Sequence, residues 1–490
     1  METFDDIYIL DLHGNSKKKE KCPDGSEDKN VFDIQQGVSI CLLVRKPQSK
    51  KIPAKVYHAE LWGKREHKYK YLSEADIKST NWQELVPVGE HYFFVPKHFD
   101  LRDDYESYWG ITDIFKVCGS GVKTERDRIS IHIDKQDVVQ VVEDFRTLDD
   151  TVIREKYKLD KDSRDWTING AKQDVLLNKN DSFFRTILYR PYDLRNIWYS
   201  GKTRGFVGTP GYPVMQHMLA DENKALILMR QVSAGKDYSH FLATRTIVDN
   251  RSFYSIKGIM SLAPLYLYPT GNSKATLFDI DTPSDAPGGR KPNLSPKFIE
   301  DFAAKLSMQF VQDGKGNIEQ TFGPEDIFNY MYAVFHSPTY RTRYAEFLKI
   351  DFPRLPLTSK PQLFRELCTL GQQLVDLHLM ESKAPKITGY PVAGDSNIEK
   401  VRYQEPLDDV KGRIWINSTQ YFEGIPKEVW EFHIGGYQVC DKWLKDRKGR
   451  QLTYDDLTHY QQVVSALAAT MKLMNDIDAT IDSHDGWPIV

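Results

Sequence analysis

Two arginines lie close together in an aromatic stretch, "YRPYDLRNIWY", which covers residues 189–199. Arg190 and Arg195 stand on either side of a Pro-Tyr-Asp turn. A guanidinium group can hold a phosphate or the edge of a guanine with paired hydrogen bonds, and a rigid turn would fix its direction. A structural alternative is open, in which Asp193 pairs with one of the arginines and the aromatic rings fill a core.

The segment around this stretch is basic, although the chain as a whole is not. Between Arg185 and Lys257 there are eleven lysine and arginine residues against five aspartate and glutamate residues, in a chain whose net charge is −3. This local excess of six positive charges predicts a surface for a polyanion. The alternative is a solvated face that is neutralised by acidic segments elsewhere in the chain.

The residue patterns of several common active sites are missing. None of the thirteen histidines belongs to an HxH or HExxH pair, and neither a GxSxG elbow nor a Walker lysine loop occurs. "GSG" at residues 119–121 is followed by "TERD" and the alternating run "RISIHID", which leaves no room for the helix that a nucleotide-binding loop opens. We therefore predict a structural turn and then a strand, and we assign no catalytic, cofactor-binding or metal-ligating residue. A catalytic site assembled from distant residues is the alternative.

Length and composition predict a folded chain of about three domains. Its 490 residues are 40% hydrophobic and 12% aromatic. The longest apolar runs, "VSICLLV" and "ALILM", are far below the roughly 20 residues that a membrane span needs. No secretory signal follows Met1, and the five cysteines are scattered without a CxxC pair. These features predict a cytoplasmic protein with free thiols and no membrane partner.

The predicted elements change in type along the chain. Near the start, "IYILDLHGN" predicts a buried strand, "VFDIQQGVSICLLVRK" two strand pieces around Gly37, and Ser73 in "YLSEADI" the start of a helix. Residues 140–180 are predicted to be helical, residues 183–270 rich in strands, and residues 271–295 a linker. Amphipathic helices follow in "PEDIFNYMYAVFHS", "KPQLFRELCTLGQQLVDLHLM" and "YDDLTHYQQVVSALAATMKLMNDIDATI".

Taken in order, these stretches resemble a known family. "ILDLHGNSKKKE" and "NVFDIQQGVSICLLVRK" resemble the late strands of the adenine-N6 methyltransferase core in type ISP restriction-modification enzymes. Five later stretches resemble the carboxy-terminal specificity domain of that family and occur in the same order. They are "SGVKTERD", "LYRPYDLRNIWY", "APLYLYP", "YMYAVFHSPTYRTRYAEFLKIDFPRLPL" and "GGYQVCDKWLKDRKGRQLTYDDLTHYQQVVSAL".

The resemblance implies an α/β fold with three parts. The closing strands of a doubly wound methyltransferase sheet and a connector would occupy residues 1–135. A mixed α/β target-recognition domain would follow, with a strand-rich part at residues 136–275 and a helical and mixed part at residues 276–490. The resemblance also implies that the chain recognises a specific sequence in duplex DNA.

Two motifs that methyl transfer needs are missing from the sequence. No Pro-Pro dipeptide occurs, so the Asn/Asp-Pro-Pro-aromatic loop that holds a flipped adenine has no counterpart, and the glycine-rich loop for S-adenosylmethionine is also lacking. We expect the complete enzyme to use S-adenosylmethionine and this chain alone to bind no cofactor. One alternative is an adenine-N6 DNA methyltransferase that a separate chain completes, with this sequence as a subunit, a fragment or a truncated reading frame. Another is a folded remnant without a role at DNA.

Six basic residues are the candidates for DNA contact. The glycine-rich loop "SGKTRGFVGTPG", residues 200–211, ranks first, because its backbone can approach a phosphate closely while Lys202 and Arg204 supply charge. In the opening stretch we expect Arg190 to be structural and Arg195 to face DNA. The other candidates, at strand ends or crossings, are Arg230, Arg245 and Arg251, with a lesser basic cluster, "KWLKDRKGR", at residues 442–450. A solvated helix end is the alternative for that cluster.

Overall fold

The chain divides into two compact units, Met1–Asp100 and Leu101–Val490, in a computed structural model. The described residues are 3–18, 20–46, 53–86, 94–96, 100–220, 222–232, 238–255, 257–269, 285–407 and 412–490. Most of the predicted linker at residues 271–295, up to residue 284, lies outside these ranges. Residues 101–135, which the sequence analysis groups with the first domain, belong to the second unit.

The first unit contains a four-stranded mixed sheet and one helix. Its elements are β1 (Asp6–Asp11), β2 (Ser39–Val44), β3 (Lys55–Glu60), β4 (Gln83–Leu85) and α1 (Arg65–Glu74). The strand order is β2-β1-β3-β4, with β1 parallel to β3 and the outer strands antiparallel to their neighbours. The predicted strand at "IYILDLHGN" is confirmed. Of the two strand pieces predicted around Gly37, only the second forms, because residues 31–36 are a series of bends.

A fully buried ion pair fixes helix α1 in the first unit. The Lys68 ammonium donates to Asp28 Oδ1 at 2.6 Å and to the carbonyls of Leu12 and Lys29, both at 2.7 Å. All three donors of the ammonium are thereby used. This pairing holds the helix at residues 65–74, so the helix ends near Ser73 instead of beginning there, and that prediction is wrong.

The second unit begins with helices and then forms a β-hairpin. The helices are α2 (Arg102–Glu106), α3 (Ile111–Ile114), α4 (Asp127–Ser130), α5 (Lys135–Thr147), α6 (Asp150–Tyr157) and α7 (Ile168–Leu177). The strands are β5 (Trp109–Gly110), β6 (Gly119–Ser120), β7 (Ile131–His132), β8 (Phe184–Arg190) and β9 (Asp193–Trp198). The helical prediction for residues 140–180 is confirmed. The predicted strand "RISIHID" is wrong in its first half, where the Thr124 hydroxyl donates to the Asp127 carboxylate and a helical turn begins.

Short strands dominate the middle of the second unit, as predicted. They are β10 (Ala225–Met229), β11 (Phe241–Thr244), β12 (Ile247–Val248), β13 (Met260–Pro264), β14 (Tyr266–Leu267), β15 (Lys291–Pro292), β16 (Gln309–Phe310) and β17 (Thr321–Phe322). Two helices accompany them, α8 (Tyr212–Met215) and α9 (Pro296–Leu306). One sheet has the order β11-β10-β13-β6 and another the order β12-β8-β9-β7. "GSG" therefore supplies β6, an edge strand of the first of these sheets. This agrees with the prediction that the segment is structural and is not a nucleotide-binding loop.

The last part of the chain is mainly helical. Its helices are α10 (Pro324–His336), α11 (Pro338–Arg343), α12 (Ala345–Leu348), α13 (Pro361–His378), α14 (Lys427–Trp430), α15 (Val439–Lys445) and α16 (Tyr454–Ser483). Its strands are β18 (Arg354–Leu355), β19 (Arg402–Gln404), β20 (Arg413–Trp415), β21 (Tyr421–Glu423), β22 (His433–Ile434) and β23 (Tyr437–Gln438).

The three amphipathic helices predicted from the sequence are α10, α13 and α16, and they pack together. Helix α16 begins with a capping box, in which Thr453 Oγ1 accepts from the Asp456 amide at 3.1 Å and the Asp456 carboxylate accepts from the Thr453 amide at 3.0 Å. Helices α10 and α13 approach closely at Gly371, where a Cβ atom would lie 1.9 Å from the Asn329 carbonyl oxygen. Within the described ranges, no helix combines the length and apolar character needed to cross a membrane. All five cysteines are free, as predicted.

The stretch "YRPYDLRNIWY" forms the β8–β9 hairpin, with Pro191 and Tyr192 in its turn. Tyr192 has a φ of +59°, and its ring is buried, as are those of Trp198 and Tyr199. The aromatic rings therefore belong mainly to the core, as the structural reading predicts.

A buried three-charge cluster holds this hairpin against the segment after α15. Asp193 Oδ2 accepts from Arg195 at 3.0 Å (Nε) and 2.7 Å (Nη2), while Asp193 Oδ1 accepts from Arg447 Nη2 at 2.9 Å. Asp193 is only 1% exposed. Burial alone would raise the pKa of Asp193, but the charges and hydrogen bonds of Arg447 and Arg195 hold the pKa below its ordinary value.

Replacing Asp193 with asparagine should destabilise the protein strongly, because Arg195 and Arg447 lose the buried carboxylate that they share. We expect the Asp193→Asn variant to lose about 3–5 kcal/mol of unfolding free energy at pH 7, measured by urea unfolding. The folded-state pKa lies below the unfolded value of about 3.9, so the carboxylate stabilises fully above that pH and this contribution is lost as the pH falls through the folded-state pKa. The deficit of the variant should therefore shrink in acid.

The matched control is Asp485→Asn. Asp485 forms an ion pair with Lys360, and the Asp485 side chain is 90% exposed. That change should cost far less than Asp193→Asn, because solvent already screens this exposed pair. Equal losses in the two variants would contradict a dominant role for the buried cluster.

Candidate nucleic-acid interface

The glycine-rich loop at residues 200–211 is held by a buried carboxylate. Asp174, on α7, is fully buried and accepts from the Ser200 hydroxyl at 2.8 Å and from the Phe206 amide at 2.9 Å. A Cβ atom on Gly205 would lie 2.1 Å from Asp174 Oδ2, so only glycine allows this close approach. The loop is therefore fixed from beneath by a side chain that the sequence analysis did not identify.

Lys202 and Arg204 project from this fixed loop into solvent. The Arg204 side chain is 63% exposed, and its ion-pair partner Asp165 lies at the outer limit of such a contact, 4.0 Å away. Lys202 is exposed and forms no ion pair with the residues that the structure describes. Two solvated cations on a rigid backbone can meet phosphate groups without first breaking a strong internal interaction.

The two arginines of the β8–β9 hairpin are both paired, Arg190 in a buried position and Arg195 in a half-buried one. Arg190 is 8% exposed and donates to Asp249 Oδ1 at 2.8 Å, which agrees with its predicted structural role. The Arg195 side chain is 11% exposed and is engaged by Asp193 and, at 3.4 Å, by Asp446. This geometry disfavours the expected exposure of Arg195 to DNA, because a contact with a base would require the ion pair to open.

Aromatic rings complete the environment of the two arginines. The guanidinium carbons of Arg190 and Arg195 lie 3.7 Å and 3.8 Å from the centre of the Tyr189 ring. Burial raises the pKa of Asp249 to about 6; Arg190 counteracts this effect, while nearby Asp127 adds to it. The hairpin therefore carries charges that are compensated inside the protein.

Acidic residues from later in the chain neutralise much of the basic window. Arg230 donates to Asp351 at 2.8 Å, and Arg245 forms a two-point contact with the Glu381 carboxylate, with its Nη2 3.2 Å from Oε2. Both pairs are partly exposed. The local excess of positive charge in the sequence therefore overstates the charge at the surface, as the neutralised-face alternative proposes.

The basic cluster at residues 442–450 is also largely paired. The ion pairs are Lys442–Asp446 at 2.5 Å, Lys445–Asp441 at 2.6 Å and Arg450–Asp134 at 2.7 Å. The guanidinium of Arg447 lies 3.5 Å from the centre of the Trp443 ring and is buried. The helix-end alternative fits this cluster better than a DNA-contacting role does.

Arg251 is the one candidate at a strand end that stays without an ion pair in the described part of the chain. Its side chain is exposed, while its backbone amide donates to Asp249 Oδ1 at 3.0 Å. The exposed residues Tyr254 and Lys257 follow on the same segment, and Tyr254 was not singled out from the sequence. Among the described residues, no group of three or more histidine, cysteine, aspartate or glutamate side chains is placed to hold a metal ion.

Three solved structures with a similar fold are of chains much longer than this one. The cryoEM structure of a DrdV–DNA complex has a TM-score of 0.67 at 19% identity, over 97% of this chain and 47% of that chain. The ATP-dependent type ISP restriction-modification enzyme LlaBIII bound to DNA has a TM-score of 0.66 at 19% identity, over 97% and 31%. A nuclease-deletion mutant of the type ISP enzyme LlaGI, in complex with a DNA substrate mimic, has a TM-score of 0.63 at 17% identity, over 97% and 44%. This chain thus spans less than half the length of each.

The sequence itself matches one family model. No curated protein matches the chain. The model of the type ISP C-terminal specificity domain matches residues 113–476, which is well over half of the chain. The mixed α/β fold with a helical C-terminal part agrees with that match, and the resemblance of the five later sequence blocks to the specificity domain is confirmed. The chain belongs to the family of type ISP C-terminal specificity domains.

Proposed function

We propose that this chain is the DNA target-recognition module of a type ISP restriction-modification enzyme. The observation that carries the proposal is the loop at residues 200–211, which presents Lys202 and Arg204 on a fixed backbone within a domain of the specificity family. The similar structures are of proteins in complex with DNA, which supports duplex DNA as the ligand. All six candidate residues lie in the strand-rich part that the sequence analysis places at residues 136–275.

The candidates divide into two roles on this proposal. Lys202 and Arg204 would contact phosphates, which sets the position of the protein on the duplex but carries no sequence information. Arg251 is the best placed to read a base edge, because its side chain is exposed and its backbone is fixed by Asp249. Arg230 and Arg245 would have to exchange a carboxylate for DNA, and Arg195 would have to leave a buried cluster.

The proposed function itself can be tested by selection from a random duplex library. The chain should enrich one defined sequence over successive rounds, because a specificity domain must distinguish its site from competing DNA. A pool that stays random in sequence although the protein binds it would contradict sequence-specific recognition.

Removing the two loop cations should weaken binding to every duplex alike. We expect the double variant Lys202→Gln and Arg204→Gln to lose similar factors of affinity on the selected and on random duplexes. The slope of log affinity against log salt should flatten by up to about two units, since each phosphate contact contributes about 0.9. Fluorescence anisotropy titrations at several salt concentrations measure both effects.

The control is a double variant of two exposed lysines elsewhere in the unit, Lys297→Gln and Lys400→Gln, which removes the same net charge. Its salt slope should stay close to that of the unmodified chain. If the loop variant also keeps its salt slope, the loop is an ordinary surface turn.

The first unit supports a finer proposal, that it closes a methyltransferase sheet whose other strands lie outside this sequence. Strand β2 is apolar on both faces, with the sequence "SICLLV", and its residues are almost all exposed. It is also an end strand of the sheet. Continuous apolar strands are typical of sheets that are covered on both faces, and an exposed apolar edge strand is a template for pairing.

This exposed edge favours a second candidate function. On that alternative, the chain is part of an adenine-N6 DNA methyltransferase that a further polypeptide segment completes. The S-adenosylmethionine and the loop that holds a flipped adenine would then be bound by residues outside this sequence, which lacks both motifs. A methyl-transfer assay on duplex DNA, with this chain alone and with a chain that carries an Asn-Pro-Pro-aromatic loop, separates the two functions.

If β2 is an edge at which further strands dock, this chain should tolerate charged residues on that strand. Leu42 and Leu43 are 40% and 50% exposed and lie on opposite faces. The double variant Leu42→Lys and Leu43→Lys should change the unfolding free energy by less than about 1 kcal/mol and reduce the fluorescence of a bound hydrophobic dye. Val56→Lys, at a fully buried position of β3, is the contrasting variant and should unfold the unit. A large loss of stability in the β2 variant would mean that the strand is already covered.

A further inference from the structure

The segment after Asp249 carries an aromatic residue between two cations at the surface. Arg251, Tyr254 and Lys257 are exposed, and we refer to these three residues as the aromatic-basic patch. Tyr254 is 52% exposed, so about half of its surface is open to solvent. Neither Arg251 nor Lys257 forms an ion pair with a described residue, in contrast to Arg230 and Arg245.

The backbone beneath the patch is held from both sides. Asp249, itself paired with Arg190, accepts from the Arg251 amide at 3.0 Å. The Tyr254 amide donates to the Gly435 carbonyl at 2.6 Å, and the Tyr437 hydroxyl donates to the Arg251 carbonyl at 3.2 Å. The backbone at Arg251 and Tyr254 is therefore held in place by contacts with other segments of the unit.

Packing between the two exposed positions also holds this backbone. Phe253 is 2% exposed and points into the unit, between the exposed side chains of Arg251 and Tyr254. A Cβ atom on Gly435 would lie 1.9 Å from the Phe253 ring, so the β22–β23 hairpin closes tightly over this ring. Because the buried ring of Phe253 fixes the backbone beside it, the fold itself keeps Tyr254 exposed.

The chemistry of the patch fits nucleic acid. An exposed aromatic ring can stack on a base or wedge between base steps, because every base has a flat apolar face. Free cations on either side can meet the phosphates that flank the base. A hydrophobic protein partner would use a larger apolar area, and an anionic small molecule would have no need of the ring.

We propose that Tyr254 contacts a DNA base directly, by stacking or by partial insertion into a base step, while Arg251 and Lys257 hold the flanking backbone or a base edge. This proposal rests on the DNA recognition proposed above. It adds an uncharged aromatic residue to the basic residues already proposed to contact DNA. Tyr254 acts at the base and not at a phosphate, so its contribution adds nothing to the salt slope.

Affinity measurements with two substitutions at Tyr254 test the proposal on the duplex obtained by selection. Tyr254→Ala should lower affinity by about 5- to 150-fold, the equivalent of roughly 1–3 kcal/mol, with an unchanged salt slope. Tyr254→Phe keeps the ring and should bind within about twofold of the unmodified chain, since the stacking surface is retained. A phenylalanine variant as weak as the alanine variant would overturn stacking as the source of affinity.

Tyr454→Ala is the matched control, because this tyrosine is 81% exposed at the start of α16 and lies outside the patch. It should leave affinity unchanged, and an equal loss there would overturn the assignment of the patch. As a second readout, duplexes that carry 5-iodouracil should photo-cross-link to Tyr254, located by mass spectrometry of the digested protein. Cross-links confined to other residues would overturn the proposal.

Different results would contradict the proposed function and the proposed contact by Tyr254. If the unmodified chain binds no duplex, the proposed function is wrong. If it binds and selects a site while Tyr254→Ala binds that site equally well, the DNA recognition stands and the contact by Tyr254 is wrong.

Discussion

Charge pairing inside the second unit holds together segments that are far apart in the chain. Asp193 joins the β8–β9 hairpin to Arg447, and Asp249 joins the same hairpin, through Arg190, to the segment that carries Arg251. Each of these carboxylates is almost completely buried, so the loss of one partner leaves an uncompensated charge in the interior. The segment that carries Arg251 depends on Asp249 for its position, while the loop at residues 200–211 depends in the same way on the buried Asp174.

Much of the fold follows from local signals in the sequence. Helices α10, α13 and α16 were predictable because proline or a capping box marks their starts and apolar residues recur every three or four positions. The limits of α1 were not predictable, because a serine followed by acidic residues is typical of a helix start, whereas the buried contact between Lys68 and Asp28 holds a helix that ends there. Such a contact links residues 40 apart and leaves no local trace.

The candidate site was predictable in part, for a related reason. The glycine-rich loop could be found because glycine and lysine or arginine stand side by side in it. The pairing of Arg230 with Asp351 and of Arg245 with Glu381 could not be, because each acidic partner is more than 100 residues away. Tyr254 did leave a signal, an aromatic residue between Arg251 and Lys257, but a short aromatic-basic run is common enough that only its exposure distinguishes it.

The anchors of the aromatic-basic patch are made by backbone atoms. The amides of Arg251 and Tyr254 and the carbonyl of Arg251 make the contacts, so none of them depends on which side chain stands at either position. Substitutions there can change the exposed chemistry without disturbing the scaffold, whereas substitutions at Asp249 or Gly435 cannot. If the proposed DNA contacts hold, single replacements at these two positions would change the DNA target, and retargeting by design would begin there.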